Sequence, residues 1–445
     1  MSEPAGRLYR TIWRWHFYAG LFVIPFILLL SLTGAIYLFK PQLDRWEERG
    51  WRNLPAATSV SADAQVAAAL AALPGAWFHN YRIPERSGDA AVVHVGLSDG
   101  GMRDIAVAPD GKVVGIADPE SRIAATVSRI HGSLLLGQWG GLLVETAACW
   151  AILLILSGLY LWWPRGRGMA GVLWPRLQRG RRVMWRDLHA VTGFWVSGLA
   201  LVLLLSGLPW TDGWATAFRT VRAELGWVQG PQEWKGGVDL HAEHDHDAMM
   251  AAQAAAPVQS AVTLERIVTL ARAEAMPFPA IVSPPGAPAR FGPPNGNVWK
   301  LSSDTQNRPL ARTVTYDPMT GDVVGRSDFA DKHPIDRAIG YGIAWHEGQL
   351  LGWFNQLVGV LTALALITLA VSGVAMWWRR RPGGSIGAPP RPAQARLRVV
   401  AIITLVLAAL LPMLALSLIA LFAIDRLLLP LVPPLRRWLD RTRPV

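Results

Sequence analysis

Residues 15–34 read WHFYAGLFVIPFILLLSLTG, an apolar run that opens with His16 and closes with a Thr-Gly dipeptide. Residues 188–207, LHAVTGFWVSGLALVLLLSG, repeat the arrangement with His189 in the same position, a glycine four residues later and Ser-Gly at the end. Runs of roughly 20 apolar residues form helices that cross the ~30 Å hydrocarbon core of a bilayer. The two stretches therefore predict two membrane-spanning helices, each with a histidine at its start.

A second pair of histidines shares a different pattern. His131 is followed by Ser-Gly at an offset of 26 residues and by tryptophan at 32, and His346 is followed by the same residues at the same offsets. An ionisable side chain at membrane depth is costly and usually functional. The matching pairs predict an internal two-fold sequence repeat, in which each half has a span, an outer domain and a return span.

The composition agrees with a membrane protein. The chain has 445 residues, 51% of them hydrophobic, and a mean hydropathy of +0.26. The predicted spans are residues 17–39, about 139–163, 190–210, about 353–378 and 399–424. The predicted fold class is a mainly α-helical bundle of four to five transmembrane helices.

The distribution of charge predicts the topology. The net charge is +11, but the arginines concentrate in two short loops, after the second and fourth spans, rather than in a nucleic-acid-binding face. Short basic loops stay cytoplasmic during insertion, so the amino terminus and both loops are predicted to lie inside and the two long connections outside. The tail after residue 424 is then predicted to lie outside, although it carries five arginines.

These boundaries divide the chain as follows: 1–39, cytoplasmic amino terminus and first span; 40–130, first outer domain; 131–163, second span; 164–186, basic loop; 187–210, third span; 211–345, second outer domain; 346–378, fourth span; 379–398, linker; 399–424, fifth span; and 425–445, tail.

Each outer domain is predicted to be a small α+β module. Ser61 and Thr263 are N-caps of the predicted helices 61–73 and 264–274. Strands are predicted near 77–83, 90–97, 102–107 and 112–116 in the first domain and near 279–283, 297–302, 311–316 and 322–326 in the second. Asp110-Gly111 forms a hairpin turn. A helix followed by an antiparallel sheet thus occurs twice.

The four histidines point to haem, because imidazoles that face each other inside a helical bundle are axial ligands of its iron. His16 and His189 would hold one haem near the cytoplasmic boundary, and His131 and His346 another near the outer boundary. The single cysteine, Cys149, rules out covalent C-x-x-C-H attachment, so both haems would be held non-covalently.

Glycines near the histidines predict room for a flat macrocycle. Gly20 and Gly193 lie one helical turn beyond their histidines, and Gly137 and Gly352 lie six residues beyond theirs. The glycines of the four Ser/Thr-Gly dipeptides are interpreted instead as close-packing positions between helices. These are Gly34, Gly158, Gly207 and Gly373.

Three other features leave alternatives open. Trp162-Trp163 and Trp377-Trp378 suggest electron hopping or, in preference, anchoring at the membrane interface. Glu145 is interpreted as part of a proton path, as a contact to a haem propionate, or as simply hydrogen-bonded. The tract 241–247 offers His241, His244 and His246 as transition-metal ligands, or is a flexible polar loop.

The chain resembles the PepSY-associated transmembrane family, which includes iron-regulated membrane proteins and siderophore reductases of bacterial inner membranes. The resemblance covers residues 8 to 380 and rests on short strings around the histidines: WHFYAG at 15–20, IHG at 130–132, DLHAVTG at 187–193 and WHEG at 345–348. It implies b-type haem in the helical core, PepSY-like periplasmic domains, and reduction of ferric iron held by a siderophore.

The expected function is therefore an oxidoreductase of the inner membrane that passes electrons through two haems to periplasmic ferric siderophore. Its donor, a quinol or a cytoplasmic reductase, is not identified by any flavin or nicotinamide fingerprint in the cytoplasmic loops. One alternative is a quinol-linked haem b subunit for another periplasmic acceptor. Another, without redox chemistry, is a membrane protein whose PepSY modules bind peptides or regulate a peptidase.

Overall fold

A computed structural model describes residues 3–55, 58–164, 169–228, 260–288, 294–381, 386–389 and 397–440. The α-helices within these residues are α1 (Glu3–Tyr37), α2 (Lys40–Glu47), α3 (Ala62–Ala72), α4 (Ile123–Ser133), α5 (Gly137–Trp162), α6 (Arg181–Gly207), α7 (Asp212–Glu224), α8 (Leu264–Ala273), α9 (Pro334–His346), α10 (Trp353–Arg380), α11 (Arg398–Leu410), α12 (Pro412–Ala423) and α13 (Pro433–Asp440). The strands are β1 (Trp77–Arg82), β2 (Ala91–Gly96), β3 (Met102–Val107), β4 (Val113–Ala117), β5 (Ala280–Ser283), β6 (Trp299–Ser303), β7 (Arg312–Tyr316) and β8 (Val323–Asp328).

Five helical segments of the described chain are long and apolar enough to cross a membrane. They are Gly6–Tyr37, Gly137–Trp162, Arg181–Trp210, Trp353–Arg380 and Pro412–Leu431. The first four agree with the predicted spans and pack as a bundle, in which α1 contacts α5 and α10, and α6 contacts α5 and α10. We call the end of this bundle that carries His16 and His189 the inner end, and the end that carries His131, His346 and the sheet the outer end.

In the fifth span, predicted over 399–424, the sequence predicts a bend at Pro412, and the structure has a complete break there. The helix is broken at Leu411, whose backbone is extended (φ −128°, ψ 88°), because Pro412 has no amide hydrogen to continue the hydrogen-bonding ladder. Leu411 and Leu414 pack with Leu208 beside the outer end of α6. The apolar helical segment that begins at Pro412 then extends away from that contact.

The segment after residue 386 begins and ends at the inner end. Arg14, two residues before His16, donates to the carbonyl of Pro389. Its other terminal nitrogen donates to the Tyr18 hydroxyl (3.1 Å), and that hydroxyl donates to the carbonyl of Leu439 (2.9 Å). The turn at Leu411 lies in the outer half, so α12 returns toward the inner end. The tail therefore lies on the same side as α1's start, not on the opposite side as predicted.

The strands form one eight-stranded antiparallel sheet in the order β4-β3-β2-β1-β5-β6-β7-β8. The predicted strands are present within a residue or two of their predicted ends. The sequence predicted a sheet in each outer domain, but β1 pairs with β5 through Tyr81–Val282 and Arg82–Ile281, which joins the two. Helices α3 and α8 share a single apolar core with this sheet.

The two helices on the sheet cap each other. The predicted N-caps are present: Ser61 accepts from the Ala64 amide at 3.2 Å and Thr263 accepts from the Arg266 amide at 3.3 Å. In addition, the Asp63 carboxylate accepts from the amides that begin α8 (3.1 and 2.9 Å) and the Glu265 carboxylate accepts from the first amide of α3 (2.6 Å). Carboxylates are favoured at a helix amino terminus because its free amides and dipole are positive. Each acid thus stabilises the other domain's helix.

Buried ion pairs hold both short helices that carry the outer histidines, and one of them attaches the sheet to α4. Arg122, at the start of α4, donates to Glu48 (2.8 Å) and to Asp104 of β3 (2.8 Å), and Arg82 of β1 also reaches Glu48 (2.9 Å). Burial disfavours the charged form of Glu48, but the attraction of Arg82 and Arg122 outweighs it and lowers the pKa of Glu48. In the second half, the fully buried Arg222 of α7 makes a two-point contact with Asp336 of α9 (2.7 and 2.8 Å).

Candidate functional site

The inner pair of histidines meets inside the bundle. His16 on α1 and His189 on α6 place their ring centroids 6.4 Å apart with the ring planes at 89°. These residues lie in different halves of the sequence, and the packing of α1 and α6 in one bundle brings them together. The sequence-based pairing of these two residues therefore matches their positions in the fold.

The outer pair has nearly the same geometry. His131 on α4 and His346 on α9 have ring centroids 6.3 Å apart and ring planes at 86°. Neither helix is part of a span: α4 ends at Ser133 before α5 begins, and α9 ends at His346 before α10 begins. A short helix, followed by a turn, thus presents each outer histidine above the bundle.

Each of the four imidazoles contacts a hydroxyl from a Ser/Thr-Gly dipeptide on another helix. The Nδ1 contacts are His16 to Ser157 Oγ at 2.8 Å, His131 to Thr33 Oγ1 at 3.0 Å, His189 to Ser372 Oγ at 3.3 Å and to the carbonyl of Leu369 at 3.0 Å, and His346 to Ser206 Oγ at 3.0 Å. Within each half, the first span holds the return segment's histidine and the return span holds the first span's histidine. The two rings of each histidine pair come from different halves of the sequence and face each other.

The hydroxyl contacts determine which ring nitrogen carries the proton. Each hydroxyl already donates its hydrogen to a carbonyl of its own helix, as Thr33 does to Leu29 (2.8 Å) and Ser206 does to Val202 (2.7 Å). Ser157 and Ser372 do the same to Leu154 (3.1 Å) and Leu369 (2.9 Å). A hydroxyl has one hydrogen to donate, so here it accepts from Nδ1–H. The other nitrogen, Nε2, is left with a free lone pair, the form in which histidine binds a metal.

The glycine of each Ser/Thr-Gly dipeptide leaves space for the imidazole ring that the adjacent Ser or Thr hydroxyl contacts. A Cβ added at Gly34, Gly158 or Gly207 would lie 3.3 Å from the Cε1 atom of the corresponding histidine, and one at Gly373 would lie 3.5 Å away. The predicted close packing at these glycines is therefore real, but the group that packs there is an imidazole.

One cavity of about 750 Å³ runs through the bundle and is lined by all four histidines. Gly20 and Gly193 line it; nothing lies within 4 Å of a Cβ added at Gly20, whereas one added at Gly193 would lie 3.1 Å from Leu369 Cδ1, so the predicted open space is present at Gly20 and not at Gly193. Gly137 and Gly352, predicted to do the same, instead begin α5 and cap α10 with positive φ of 59° and 58°, outside the cavity lining. The wall is mainly aliphatic and aromatic, which suits a large flat apolar ligand.

The charged side chains of the lining differ between the two ends. At the outer end they are Lys40, Asp212, Asp304, Arg308 and Glu347, and at the inner end they are Arg186 and Arg380. The outer mouth therefore has mixed charge, and part of its wall is the loop of the sheet domain that contains Asp304 and Arg308. At the inner mouth the described lining carries no carboxylate.

The spacing of each histidine pair would suit two imidazoles that hold one haem iron. Two imidazoles on opposite faces of one iron have ring centres about 6.3 Å apart, since a metal–nitrogen bond is about 2.0 Å and the ring centre lies about 1.15 Å beyond the nitrogen. The observed spacings are 6.4 and 6.3 Å. Within the described residues no three His, Cys, Asp or Glu side chains gather as a metal site. Two imidazoles alone suit an iron whose other ligands come from a porphyrin.

Glu145, which the sequence left unassigned, caps a helix. Its carboxylate is fully buried and accepts from the amides of Gly213 and Trp214, both at 2.9 Å, at the start of α7. It is hydrogen-bonded there and is not among the cavity-lining residues. The neighbouring Cys149 is buried in an apolar cluster with Ile152 and Leu414, as a small apolar residue would be.

The two tryptophans of each pair have different roles. Trp162 and Trp377 line the cavity and donate their indole hydrogens to the carbonyls of Val172 (3.0 Å) and Ile386 (2.8 Å), which folds the following loop under the inner end. Trp163 and Trp378 are 66% and 59% exposed, as interfacial anchors are. His241, His244 and His246 lie outside the described residues.

The sequence reasoning missed the roles of Thr33, Ser157, Ser206 and Ser372. The signal was present, because each hydroxyl residue recurs at a fixed offset from a histidine of its own half. The histidine at that offset is not the one that the hydroxyl contacts, however. Thr33, for example, lies at a fixed offset from His16 but contacts His131. The histidine partner became evident only from the packing of the helices.

Long apolar helices around a ligand-sized cavity, with an antiparallel sheet at one end, define a multi-pass membrane protein. The family described as "PepSY-associated TM region" matches residues 13–380, so the chain belongs to this family, as the sequence resemblance indicated. No curated protein matches the chain significantly.

Proposed function

We propose that this protein is a di-haem b reductase of a bacterial inner membrane, with His16 and His189 as ligands of one haem and His131 and His346 as ligands of the other. The observation that carries the proposal is the spacing of the two ring pairs, 6.4 and 6.3 Å between centroids, with Nδ1 of each ring held by a hydroxyl. Bound haem supplies a centre that accepts and releases one electron at a time.

The protein's own residues have three tasks in this function. The hydroxyls of the Ser/Thr-Gly dipeptides keep each imidazole in one tautomer and orientation. The aliphatic wall of the cavity excludes water, which keeps a buried group in a low-dielectric environment. The stacking of two sites between the inner and outer ends gives a path for electrons through the bundle.

The proposed orientation has the inner end and the amino terminus in the cytoplasm and the sheet in the periplasm. Arginine-rich loops favour the cytoplasmic side, and the contact between Tyr18 and Leu439 brings the basic tail to that same side. This arrangement removes the conflict that a single fifth crossing would create. The two halves, each with a helix and four strands, are proposed to be an internal duplication with PepSY-like modules.

The proposed substrate is a ferric siderophore at the outer end. One electron reduces Fe(III) to Fe(II), which hard oxygen ligands hold less tightly, so reduction releases the metal. A quinol donor would give two electrons and two protons and so reduce two ferric ions; a cytoplasmic reductase is the other donor class. With the cytoplasm negative, an outward electron gains ~2.3 kcal/mol per 100 mV if it crosses the whole field.

Two measurements test the proposal. A pyridine haemochromogen assay on the purified protein is expected to give two haem b per chain; a preparation without haem would leave the non-redox peptide-binding alternative. The protein reduced by dithionite is then mixed with ferric siderophore, and the haem spectrum is expected to return to the oxidised form. A reduced spectrum that persists would favour the alternative of another periplasmic acceptor.

A further inference from the structure

The inner end of the cavity contains an arginine with no counter-ion in the described part of the chain. Arg380 lines the cavity at the end of α10, donates its Nε hydrogen to the carbonyl of Met376 at 3.0 Å, and lies 5.8 Å from the centre of the Trp13 ring. No carboxylate among the described residues contacts it. Because the Arg380 guanidinium faces the cavity and not a carboxylate, its N–H donors are available to a ligand.

A second arginine faces the same space. Arg186 lines the cavity three residues before His189. It shares the fully buried Asp187 with Arg176: Arg186 donates to that carboxylate at 2.6 Å and Arg176 at 2.7 Å. Two guanidinium groups on one carboxylate leave a net positive charge, so Asp187 orients Arg186 without neutralising the inner mouth.

An arginine equivalent to Arg380 occurs in the first half of the sequence. Arg380 follows His346 by 34 residues, and Arg165 follows His131 by the same number. Arg165 lies outside the described residues. The tryptophan pair precedes both arginines at matching positions, so a cation just beyond the inner end of the return span occurs in each half of the sequence.

We propose that Arg380 and Arg186 bind the carboxylates of the haem at the inner end, an inference that rests on the proposed function. A haem has one edge with two carboxylates and is otherwise apolar, and this matches a cavity whose wall is apolar and whose inner mouth carries two arginines. Guanidinium groups bind carboxylates through paired, charge-assisted hydrogen bonds. The outer mouth, with three acids and two bases, lacks this one-signed charge.

The same chemistry could serve the phosphate of an anionic lipid, and the experiment separates the two sources. Arg380→Gln is compared with Arg379→Gln, a matched control because Arg379 is adjacent and, like Arg380, exposed, but is absent from the cavity wall. The rate of haem loss is measured as transfer of haem to excess apomyoglobin. In the unmodified protein and in Arg379→Gln we expect two slow phases; in Arg380→Gln and Arg186→Gln one phase is expected to be at least about tenfold faster.

Reconstitution with haem dimethyl ester, which has no carboxylates, provides a second readout. The unmodified protein should bind free-acid haem at the inner site at least about tenfold more tightly than the ester, and Arg380→Gln should lose this preference while Arg380→Lys keeps part of it. Equal haem loss in the Arg379 and Arg380 variants, with reduced retention of phosphatidylglycerol only in the latter, would assign the site to lipid and overturn the inference. An unmodified protein that binds no haem would instead overturn the proposed function itself.

Discussion

Replacement of Ser157 by alanine should weaken haem binding at one of the two proposed sites and leave the other unchanged. Ser157 Oγ lies 2.8 Å from Nδ1 of His16 and donates its own hydrogen to Leu154. Without the hydroxyl, Nδ1–H of a buried imidazole has no acceptor and the ring is free to rotate about its side-chain bonds. The adjacent Gly158 continues to leave space for the ring, so the change removes the hydrogen bond without adding bulk.

The expected magnitude follows from the cost of that unpaired donor. A buried donor without a partner costs about 1–3 kcal/mol, and loss of the group that orients a metal-bound histidine typically weakens binding about 10–100-fold. We therefore expect haem at the inner site to bind at least about tenfold more weakly, equivalent to about 1.4 kcal/mol. The midpoint potential of that site should rise, because a histidine without the Nδ1 hydrogen bond donates less electron density to iron.

The assay is haem transfer to apomyoglobin combined with a redox titration. Ser206→Ala is the matched control, since Ser206 makes the corresponding contact to His346 at the outer end (3.0 Å). Each variant should alter a different one of the two haems. If Ser157→Ala and Ser206→Ala alter the same haem, or if neither changes haem loss or potential, the assignment of these hydroxyls is wrong.

Three further predictions concern the outer pair and the sheet domain. His131→Ala and His346→Ala should each abolish the same haem signal and retain the other, as measured by electron paramagnetic resonance of the oxidised protein; loss of different signals would contradict the pairing. Asp63→Ala should lower the free energy of unfolding of the sheet domain by about 1–2 kcal/mol in urea titrations, because the start of α8 loses a charged cap; an unchanged midpoint would contradict reciprocal capping. Because the pKa of Glu48 is lowered in the folded protein, its stabilisation should be complete above pH 4.5 and be lost as the pH falls through the lower folded-state value; Glu48→Gln should remove this part of the pH dependence of thermal unfolding, and an identical profile would refute it.

Much of the fold could be predicted from local sequence. The alternating strands, the N-caps Ser61 and Thr263, and four of the spans are encoded by short-range patterns, and the structure contains them, although the first and third helical segments begin at Gly6 and Arg181, before the predicted residues 17 and 190. The grouping of the histidines was also accessible, because their repeated offsets link residues in different halves. The PepSY-associated TM family, suggested by the strings around the four histidines, was confirmed.

The remaining features depend on contacts between distant segments. Pairing of β1 with β5 joins residues about 200 positions apart, and no strand pattern specifies its neighbour across such a separation. The exchange of caps between Asp63 and Glu265 follows only once that pairing is known. The break at Leu411 was signalled by Pro412, but the direction of the chain after it depended on the contact between Tyr18 and Leu439.

The single sheet has a consequence for how the protein responds to its lipid surroundings. The sheet spans both halves, and the buried Arg122 fastens its strand β3 to α4, which carries His131, while Arg222 of α7 fastens α9, which carries His346. The inner histidines lie on the long spans, whose tilt adjusts when hydrocarbon thickness changes. Transfer from short-chain to long-chain phospholipids should therefore alter the low-spin spectrum of the haem proposed at the inner end more than that of the haem proposed at the outer end.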